Sequence, residues 1–236
     1  MNTTSSIYLI PCNLGESSID PIPQYAKTII YELNIFFVEN ERSARRYLRS
    51  IGYTKNFDDV TLILLDKQQE GKNIKQHLQQ IKKKGESAGI LSEAGLPGIA
   101  DPGTQVVKLA HSLFFKVQPL VGPSSILLAL VASGLNGQSF CFHGYLPIET
   151  PAQIKKIKEL ETQSARFGTT QIFIETPYRN NKIIENILSS CMPDTKLCIA
   201  CDITLDTEFI QTKSMKEWKE QTPDIHKRPA IFLINM

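Results

Sequence analysis

Short apolar runs alternate with helical patterns along the first half of the chain. Each run is long enough for one buried strand, and the segments between the runs repeat apolar side chains at the spacing of a helix. The predicted strands cover residues 7–10, 35–39, 60–65 and 117–121, and a further strand ends with the apolar pair Ile90 and Leu91. The predicted helices cover residues 21–33, 41–51, 71–84, 106–114 and 126–132. Strands that alternate with helices in this way predict a mainly parallel, doubly wound sheet.

The second half of the chain has strands that lie closer together along the sequence. Predicted strands cover residues 140–143, 170–175, 196–201, 208–213 and 230–235, with helices at 151–167 and 180–190 and a short one near Lys216. Strands with short connections predict a mixed sheet. We therefore expect two α/β domains, a parallel-sheet domain at 1–118 and a mixed-sheet domain at 119–236.

One loop holds most of the residues that could build a binding site. After the apolar run that ends at Leu91, residues 92–103 contain three glycines, two prolines and the carboxylates of Glu93 and Asp101. Glycines let a ligand approach the backbone closely, and ligands of open α/β sheets bind beside such loops. The glycine spacing matches neither the dinucleotide fingerprint nor the P-loop. Taken alone, the loop is equally consistent with an ordinary connection from strand to helix.

Composition narrows the class of protein. The 236 residues are 42% hydrophobic, which is enough for real cores. No apolar run approaches the roughly twenty residues of a membrane span, and the N-terminal residues do not resemble a secretory signal. Five scattered cysteines favour reduced thiols and a cytoplasmic protein. Cys198 and Cys201 have the spacing of a metal or redox motif, but they lie in a predicted strand and would point to opposite faces, so we predict no metal site.

Positive charge is distributed unevenly, although the net charge is only +2. Arg42, Arg45, Arg46 and Arg49 share one face of the predicted helix 41–51. Rows of this kind are most often solvated faces. Guanidinium groups nevertheless match phosphate oxygens well, so Arg42, Arg45 and Arg46 are the predicted contacts to a nucleic-acid substrate.

Several segments in a fixed order resemble the tetrapyrrole methylase superfamily of S-adenosylmethionine-dependent methyltransferases. The resemblance is greatest to the branch that methylates a cytidine ribose 2′-hydroxyl in small-subunit ribosomal RNA. It spans nearly the whole chain, in the family's order. The matching segments are IYLIPCNLG, FFVENER, SEAGLPGIADPG, PLVGPSSILLALVASGL, FCFHGYLP and IFIETPYR.

This resemblance implies two α/β domains that bind S-adenosylmethionine in a cleft between them, usually in a homodimer. It also implies that the cofactor is held largely by backbone groups of the loop 92–103 and of the turn at 122–125. The residues it assigns to the cofactor are Ser92, Glu93, Ala94, Gly95, Pro97, Ile99, Ala100, Asp101, Ser124, Ser125, Glu175, Pro229 and Ala230.

The implied reaction transfers a methyl group from the sulfonium to a ribose hydroxyl of ribosomal RNA. The cofactor supplies the activated carbon, so the protein mainly aligns and desolvates the reactants. Glu39, Glu41 and Asp101 are carboxylates in suitable loops, but each is at least as consistent with a cap or an ion pair, and no catalytic base is assigned. Two alternatives remain open: methylation of a tetrapyrrole or other small molecule, and a non-catalytic protein that binds S-adenosylmethionine.

Overall fold

The computed structural model describes residues 5–16, 20–65 and 72–236. The chain divides into two compact units, Met1–Ser124 and Ser125–Met236. The division lies close to the boundary that the sequence placed between residues 118 and 119. Each unit contains one sheet and its own core.

The first unit is built on a five-stranded parallel sheet with the order β3-β2-β4-β1-β5. All four pairs of neighbouring strands in this sheet are parallel, so the predicted doubly wound sheet is confirmed. Residues 60–65, the predicted strand without an assigned partner, form β3 at the sheet edge beside β2. The strands are β1 Ser6–Ile10, β2 Ile35–Val38, β3 Thr61–Leu64, β4 Ala88–Leu91 and β5 Lys116–Pro119.

Helices connect these strands and cover both faces of the sheet. They are α1 Gln24–Glu32, α2 Glu41–Ser50, α3 Lys72–Lys84 and α4 Gly103–Ser112. Helix α2 begins after Asn40, whose side chain accepts hydrogen bonds from the backbone N–H groups of Arg42 and Ser43. It ends before Gly52, which has a positive φ of 91° that favours glycine.

Alternate residues of the central strands supply two cores, one on each face. Phe36 belongs to the cluster that packs against α1 and α2, and its neighbour Phe37 belongs to the cluster against α3 and α4. Both side chains are fully buried. A sheet that is apolar on both faces explains why its strands are short continuous apolar runs rather than alternating ones.

The second unit contains a five-stranded mixed sheet with the order β6-β7-β10-β8-β9. Strands β6 and β7 are parallel, and the other neighbouring strands are antiparallel. The mixed sheet predicted from the close spacing of these strands is therefore confirmed. The elements are α5 Ser125–Ser133, β6 Phe140–Tyr145, α6 Thr150–Phe167, β7 Thr170–Ile174, α7 Asn180–Ser190, β8 Lys196–Cys201, β9 Phe209–Ser214, α8 Met215–Glu220 and β10 Ala230–Asn235.

One apolar cluster forms the main core of this unit. It gathers side chains from α6, α7, α8 and the sheet, with Trp218 almost fully buried. The indole Nε1–H of Trp218 donates to the carbonyl of Leu197 over 2.8 Å. Cys198 and Cys201 are three residues apart in β8 and both buried, and only Cys201 belongs to this cluster. Among the residues described, no helix is long and apolar enough to cross a membrane.

Candidate functional site

Three loops meet at the carboxyl ends of the neighbouring strands β4, β1 and β5. The loop after β1 and the loop after β4 are joined by a pair of backbone hydrogen bonds. Cys12 N–H donates to Gly95 O over 2.8 Å, and Gly95 N–H donates to Cys12 O over 3.1 Å. The predicted ligand loop is therefore fastened to the end of the first strand rather than projecting into solvent.

The turn after β5 packs tightly against the same loops. A Cβ atom at Gly122 would lie 2.2 Å from Cβ of Pro11, and one at Gly95 would lie 3.7 Å from the carbonyl oxygen of Pro123. Because nothing larger than hydrogen fits at Gly122, the turn and the loop after β1 form one continuous backbone surface. Ser124, which follows, is buried, and Ser125 begins α5 in the second unit.

The Asp101 carboxylate holds the far end of the loop in shape. One oxygen accepts the Gly98 N–H and the other accepts the Gly103 N–H, each over 2.7 Å. The loop also takes a positive φ at Gly95, Gly98 and Ala100. Asp101 was one of three carboxylates considered for a base, but both its oxygens already accept backbone N–H groups. We assign it the role of a loop clamp.

Glu93 stands at the near end of the loop and faces helix α2. Ser43 Oγ donates to Glu93 Oε1 over 2.6 Å, and the Glu93 N–H donates to the carboxylate of Glu39 over 3.3 Å. Glu93 is exposed, and its second carboxylate oxygen has no hydrogen bond within the described part of the chain. A carboxylate accepts hydrogen bonds only, so this oxygen suits a hydroxyl donor.

A pocket of about 360 Å³ lies beside Glu93, between the loop after β1, helix α2 and the start of the loop after β4. Its size is within the range of small-molecule sites. Two of these three elements carry predicted site residues, since Ser92, Glu93 and Ala94 follow β4 and Arg46 lies on α2. The other lining residues are Cys12, Asn13, Leu14, Gly15, Glu16, Ser43, Ala44, Tyr47, Ser50 and Leu91.

Two further lining residues, Asn13 and Tyr47, are not among the residues predicted for the site. Oδ1 of Asn13 is buried and has no hydrogen-bond partner among the described residues. The Tyr47 hydroxyl donates to the Pro11 carbonyl over 2.5 Å. Burial raises the pKa of Tyr47 and of the Cys12 thiol above their usual ranges, so both groups stay protonated. The sequence contains a pattern that indicates the α2 side of this pocket, because Ser43, Tyr47 and Ser50 recur at helical spacing beside the arginine row.

The arginine row divides into two groups on α2. The guanidinium groups of Arg45 and Arg49 lie over the ring of Phe57, at 5.3 and 4.5 Å from its centroid. Arg45 also pairs with Glu41 at 3.5 Å. Arg46 lines the pocket and lies 3.8 Å from Glu16 across an exposed pair. The Arg42 side chain has no partner among the described residues, and it is exposed.

In the second unit, Glu175 is the centre of a buried polar network at the end of β7. Its carboxylate accepts from Nε of Arg179 over 2.9 Å and from Nε2 of Gln153 over 3.3 Å. Gln153 in turn accepts from Nδ2 of Asn186 over 2.7 Å. Glu175 is 4% exposed, and buried carboxylates require such partners. Sequence analysis assigned Glu175 to the site but did not find Gln153 or Asn186.

The other predicted residues of this unit lie next to Glu175. Ala230 begins β10, whose next residue, Ile231, is paired with Ile174. The Pro229 carbonyl accepts the Asp202 N–H over 2.9 Å, and Nε of Arg228 donates to Asp202 over 2.8 Å. That hydrogen bond raises the pKa of Arg228. No group of three or more potential metal ligands occurs within residues 5–16, 20–65 and 72–236.

Solved structures of other proteins share the fold of this chain. The chain is similar to diphthine synthase with a TM-score of 0.66 and 14% identity, over 98% of this chain and 90% of that one. It is similar to uroporphyrin-III-C-methyltransferase from Thermus thermophilus with a TM-score of 0.55 and 14% identity, over 100% and 93% of the two chains. At this identity the likeness shows the fold alone, which has a parallel sheet in the first unit and a mixed sheet in the second.

No family model matches the chain, but curated proteins of similar sequence do. The chain is 28% identical to the ribosomal RNA small subunit methyltransferase I of Vibrio cholerae, over 99% of this chain and 78% of that protein. The protein of the same name from Streptococcus pyogenes serotype M1 is 29% identical over 94% of this chain and 74% of its own length. The resemblance to the ribosomal RNA branch, expected from the motifs, is thereby confirmed.

Proposed function

We propose that this protein is an S-adenosylmethionine-dependent methyltransferase that methylates a ribose 2′-hydroxyl in ribosomal RNA. The observation that carries the proposal is the pocket beside Glu93, where the glycine-rich loop after β4 meets an arginine-bearing helix. Relatives that match 99% of this chain and are named as ribosomal RNA methyltransferases support the choice of acceptor.

We place the cofactor along the loop 92–101 and the turn at Ser124 and Ser125. The residues present fit such a ligand, because Glu93, Ala94, Ile99 and Ala100 are exposed along this loop. Carboxylate and carbonyl oxygens attract a sulfonium cation. Glu175, Pro229 and Ala230 are the proposed contacts from the second unit, whereas the cleft between the units stays a prediction. When bound, S-adenosylmethionine supplies the activated methyl group.

We place the acceptor ribose in the pocket itself. A ribose hydroxyl is a donor, and the pocket offers it an acceptor in Oε2 of Glu93, the carboxylate oxygen that Ser43 leaves unbonded. Arg46 at the rim is 74% exposed at its side chain and suits a flanking phosphate. Ser92, Glu93 and Ala94 then form the border between the two ligands, which is where methyl transfer requires alignment.

Glu93 is the residue we propose to hold the reacting hydroxyl. Ser43 orients its carboxylate through the 2.6 Å hydrogen bond, which leaves Oε2 for the substrate. In a Glu93→Gln variant an amide replaces this acceptor, and we expect methylation of small ribosomal subunits to fall about 10²-fold or more. Glu86→Gln is the matched control, because Glu86 is an exposed carboxylate just before the other end of β4.

The cofactor and acceptor parts of the proposal have separate tests. Isothermal titration with S-adenosylmethionine tests the first, and absence of binding at millimolar cofactor would refute it. Mass spectrometry of ribosomal RNA from cells with and without the gene tests the second. Cofactor binding with an unchanged modification map would instead favour a small-molecule acceptor or a non-catalytic protein.

Arg42 and Arg46 are the arginines that we propose to contact phosphate. Replacing both by alanine is expected to weaken RNA binding and to flatten its salt dependence, by about 0.7–0.9 in the log–log slope for each lost phosphate contact. Arg166→Ala on α6 is the control, because Arg166 is exposed and lies over Phe167 in the second unit. An unchanged slope would exclude these arginines from the RNA site.

We also propose that the protein is a homodimer and acts in the cytoplasm, where its proposed ribosomal substrate is found. The support for a dimer is a set of exposed apolar side chains on α5 and the edge strand β6, namely Leu127, Val131, Phe140 and Tyr145. Edge strands and apolar patches of this kind are usually covered. Val131→Glu is expected to give a monomer in light scattering, whereas Phe114→Glu, also at an exposed apolar residue, is not.

A further inference from the structure

Tyr178 displays its ring to solvent directly after the buried strand β7. It is 71% exposed, although it follows Glu175 by only three residues. Its neighbours Pro177 and Arg179 form the short 3-10 turn in which it lies, and Asn180 begins α7. The 3-10 turn and the start of α7 therefore fix the backbone at Tyr178, while most of the side chain is exposed to solvent.

A second segment, residues 224–228, is fastened to this turn. Lys227 N–H donates to Pro177 O over 2.9 Å, and Ile225 N–H donates to Asn181 Oδ1 over 3.1 Å. Asn180 Nδ2 donates to the carbonyls of Ile225 and Arg228, and Asn181 Nδ2 donates to Asp224. Lys227 adopts a positive φ of 64° in this segment, an unusual conformation for a lysine that its contacts maintain.

The second segment places an aromatic ring and a cation against Tyr178. The His226 ring meets it edge-on, with 6.1 Å between centroids, and Nζ of Lys227 lies 5.8 Å from its centroid. His226 and Lys227 are both exposed. Lys227 has no ion pair among the described residues, whereas Arg179 and Arg228 are paired with Glu175 and Asp202. Two charges of this segment thus have no ion pair among the described residues: that of Lys227 beside the Tyr178 ring, and that of Asp224, whose carboxylate accepts from Asn181 Nδ2 and the His226 N–H.

We propose that Tyr178, His226 and Lys227 form a stacking platform for an unpaired base of the RNA substrate. Bases stack on exposed aromatic rings of RNA-binding proteins, and a nearby cation contacts the adjoining phosphate. Because the backbone at Tyr178 is already fixed, RNA binding would cost less conformational entropy. The proposal rests on the function proposed above and adds to it, because it assigns RNA contacts to the second unit, next to Glu175.

The test compares four variants by their affinity for a fragment of small-subunit ribosomal RNA. Tyr178→Ala is expected to bind the fragment about tenfold more weakly, as removal of one stacked base does in other proteins. Tyr178→Phe should retain the affinity of the wild type, and Tyr178→Leu should lose it, because only the former keeps a ring. Phe167→Ala is the matched control, since Phe167 is 63% exposed, lies near a cation, and stands before β7 rather than after it.

Titration of S-adenosylmethionine against each variant separates this proposal from the function on which it rests. Equal cofactor affinity with weaker RNA binding in Tyr178→Ala and Tyr178→Leu supports the platform. RNA binding by the wild type that none of the three Tyr178 variants alters overturns the platform and leaves the methyltransferase proposal intact. Cofactor binding without any RNA binding by the wild type overturns both the RNA acceptor and the platform.

Discussion

Replacing Gly122 by alanine is the sharpest test of how the loops of the site are assembled. The added Cβ would lie 2.2 Å from Cβ and 2.3 Å from Cγ of Pro11, where carbon atoms in contact are ordinarily about 3.5–4.0 Å apart. The proline ring cannot rotate out of the way. Pro11 is also restrained, because its carbonyl accepts the Tyr47 hydroxyl and its neighbour Cys12 is paired with Gly95.

The turn at residues 122–125 must therefore move away from the loop after β1 by more than about 1 Å. Overpacking of this kind costs about 1–3 kcal/mol in the free energy of unfolding. For a chain of this length we expect the Tm to fall by about 2–12 °C. Because Ser124 and Ser125 move with the turn, the affinity for S-adenosylmethionine should fall as well.

Gly137→Ala is the matched control for this experiment. Gly137 does not have the left-handed φ that only glycine tolerates well, and a Cβ built there meets no atom within 4 Å. Thermal unfolding by circular dichroism and cofactor titration are measured on both variants and the wild type. If Gly122→Ala matches Gly137→Ala in both Tm and cofactor affinity, the turn does not pack on the first loop as described.

Three further predictions concern the loop clamp and the thiols. Asp101→Ala removes the acceptor of two backbone N–H groups and should lower the free energy of unfolding, measured in urea, by about 2–4 kcal/mol. The control Asp59→Ala, at an exposed carboxylate, should change it by less than about 0.5 kcal/mol. Equal values for the two variants would contradict the clamp. Of the five cysteines only Cys141 is exposed, so one thiol should react with Ellman's reagent in the folded protein at pH 8 and five in denaturant. Burial raises the pKa of Cys191 to about 12 and of Cys201 to about 11. Near pH 9 these thiols lose their protons in the unfolded chain but not in the folded protein. The free energy of unfolding should therefore fall as the pH rises from about 7.5 to about 10. A free energy of unfolding that does not change over this range would refute the prediction.

Most of the fold could be predicted from the sequence because its signals are local. The strands β1, β2 and β4 are continuous apolar runs, and the turns that end them contain glycine or proline. The order β3-β2-β4-β1-β5 could not be derived in the same way, because pairing depends on contacts between distant segments. This order is what brings the loops after β4, β1 and β5 together.

The site was predicted in part, and what was missed lies where side chains meet across segments. The loop 92–103 was found from its glycines and carboxylates. The role of Asp101 was not, because a carboxylate that binds backbone N–H groups and one that binds a ligand look alike in sequence. Ser43 and Tyr47 were missed for a related reason, since a single polar residue becomes part of a pocket only when the opposite wall is known.

The arginine row on α2 shows how tertiary contacts divide residues that helical spacing treats as equal. Arg42, Arg45, Arg46 and Arg49 share one face by periodicity, but Phe57 lies close enough to two of them to attract their guanidinium groups. A residue held on an aromatic ring and paired with Glu41, as Arg45 is, must give up those contacts to reach a phosphate. Arg42 and Arg46 have no contact with Phe57 to give up. An RNA strand that enters the pocket should therefore follow the side of α2 that carries these two arginines and Ser43, and not the side that faces Phe57.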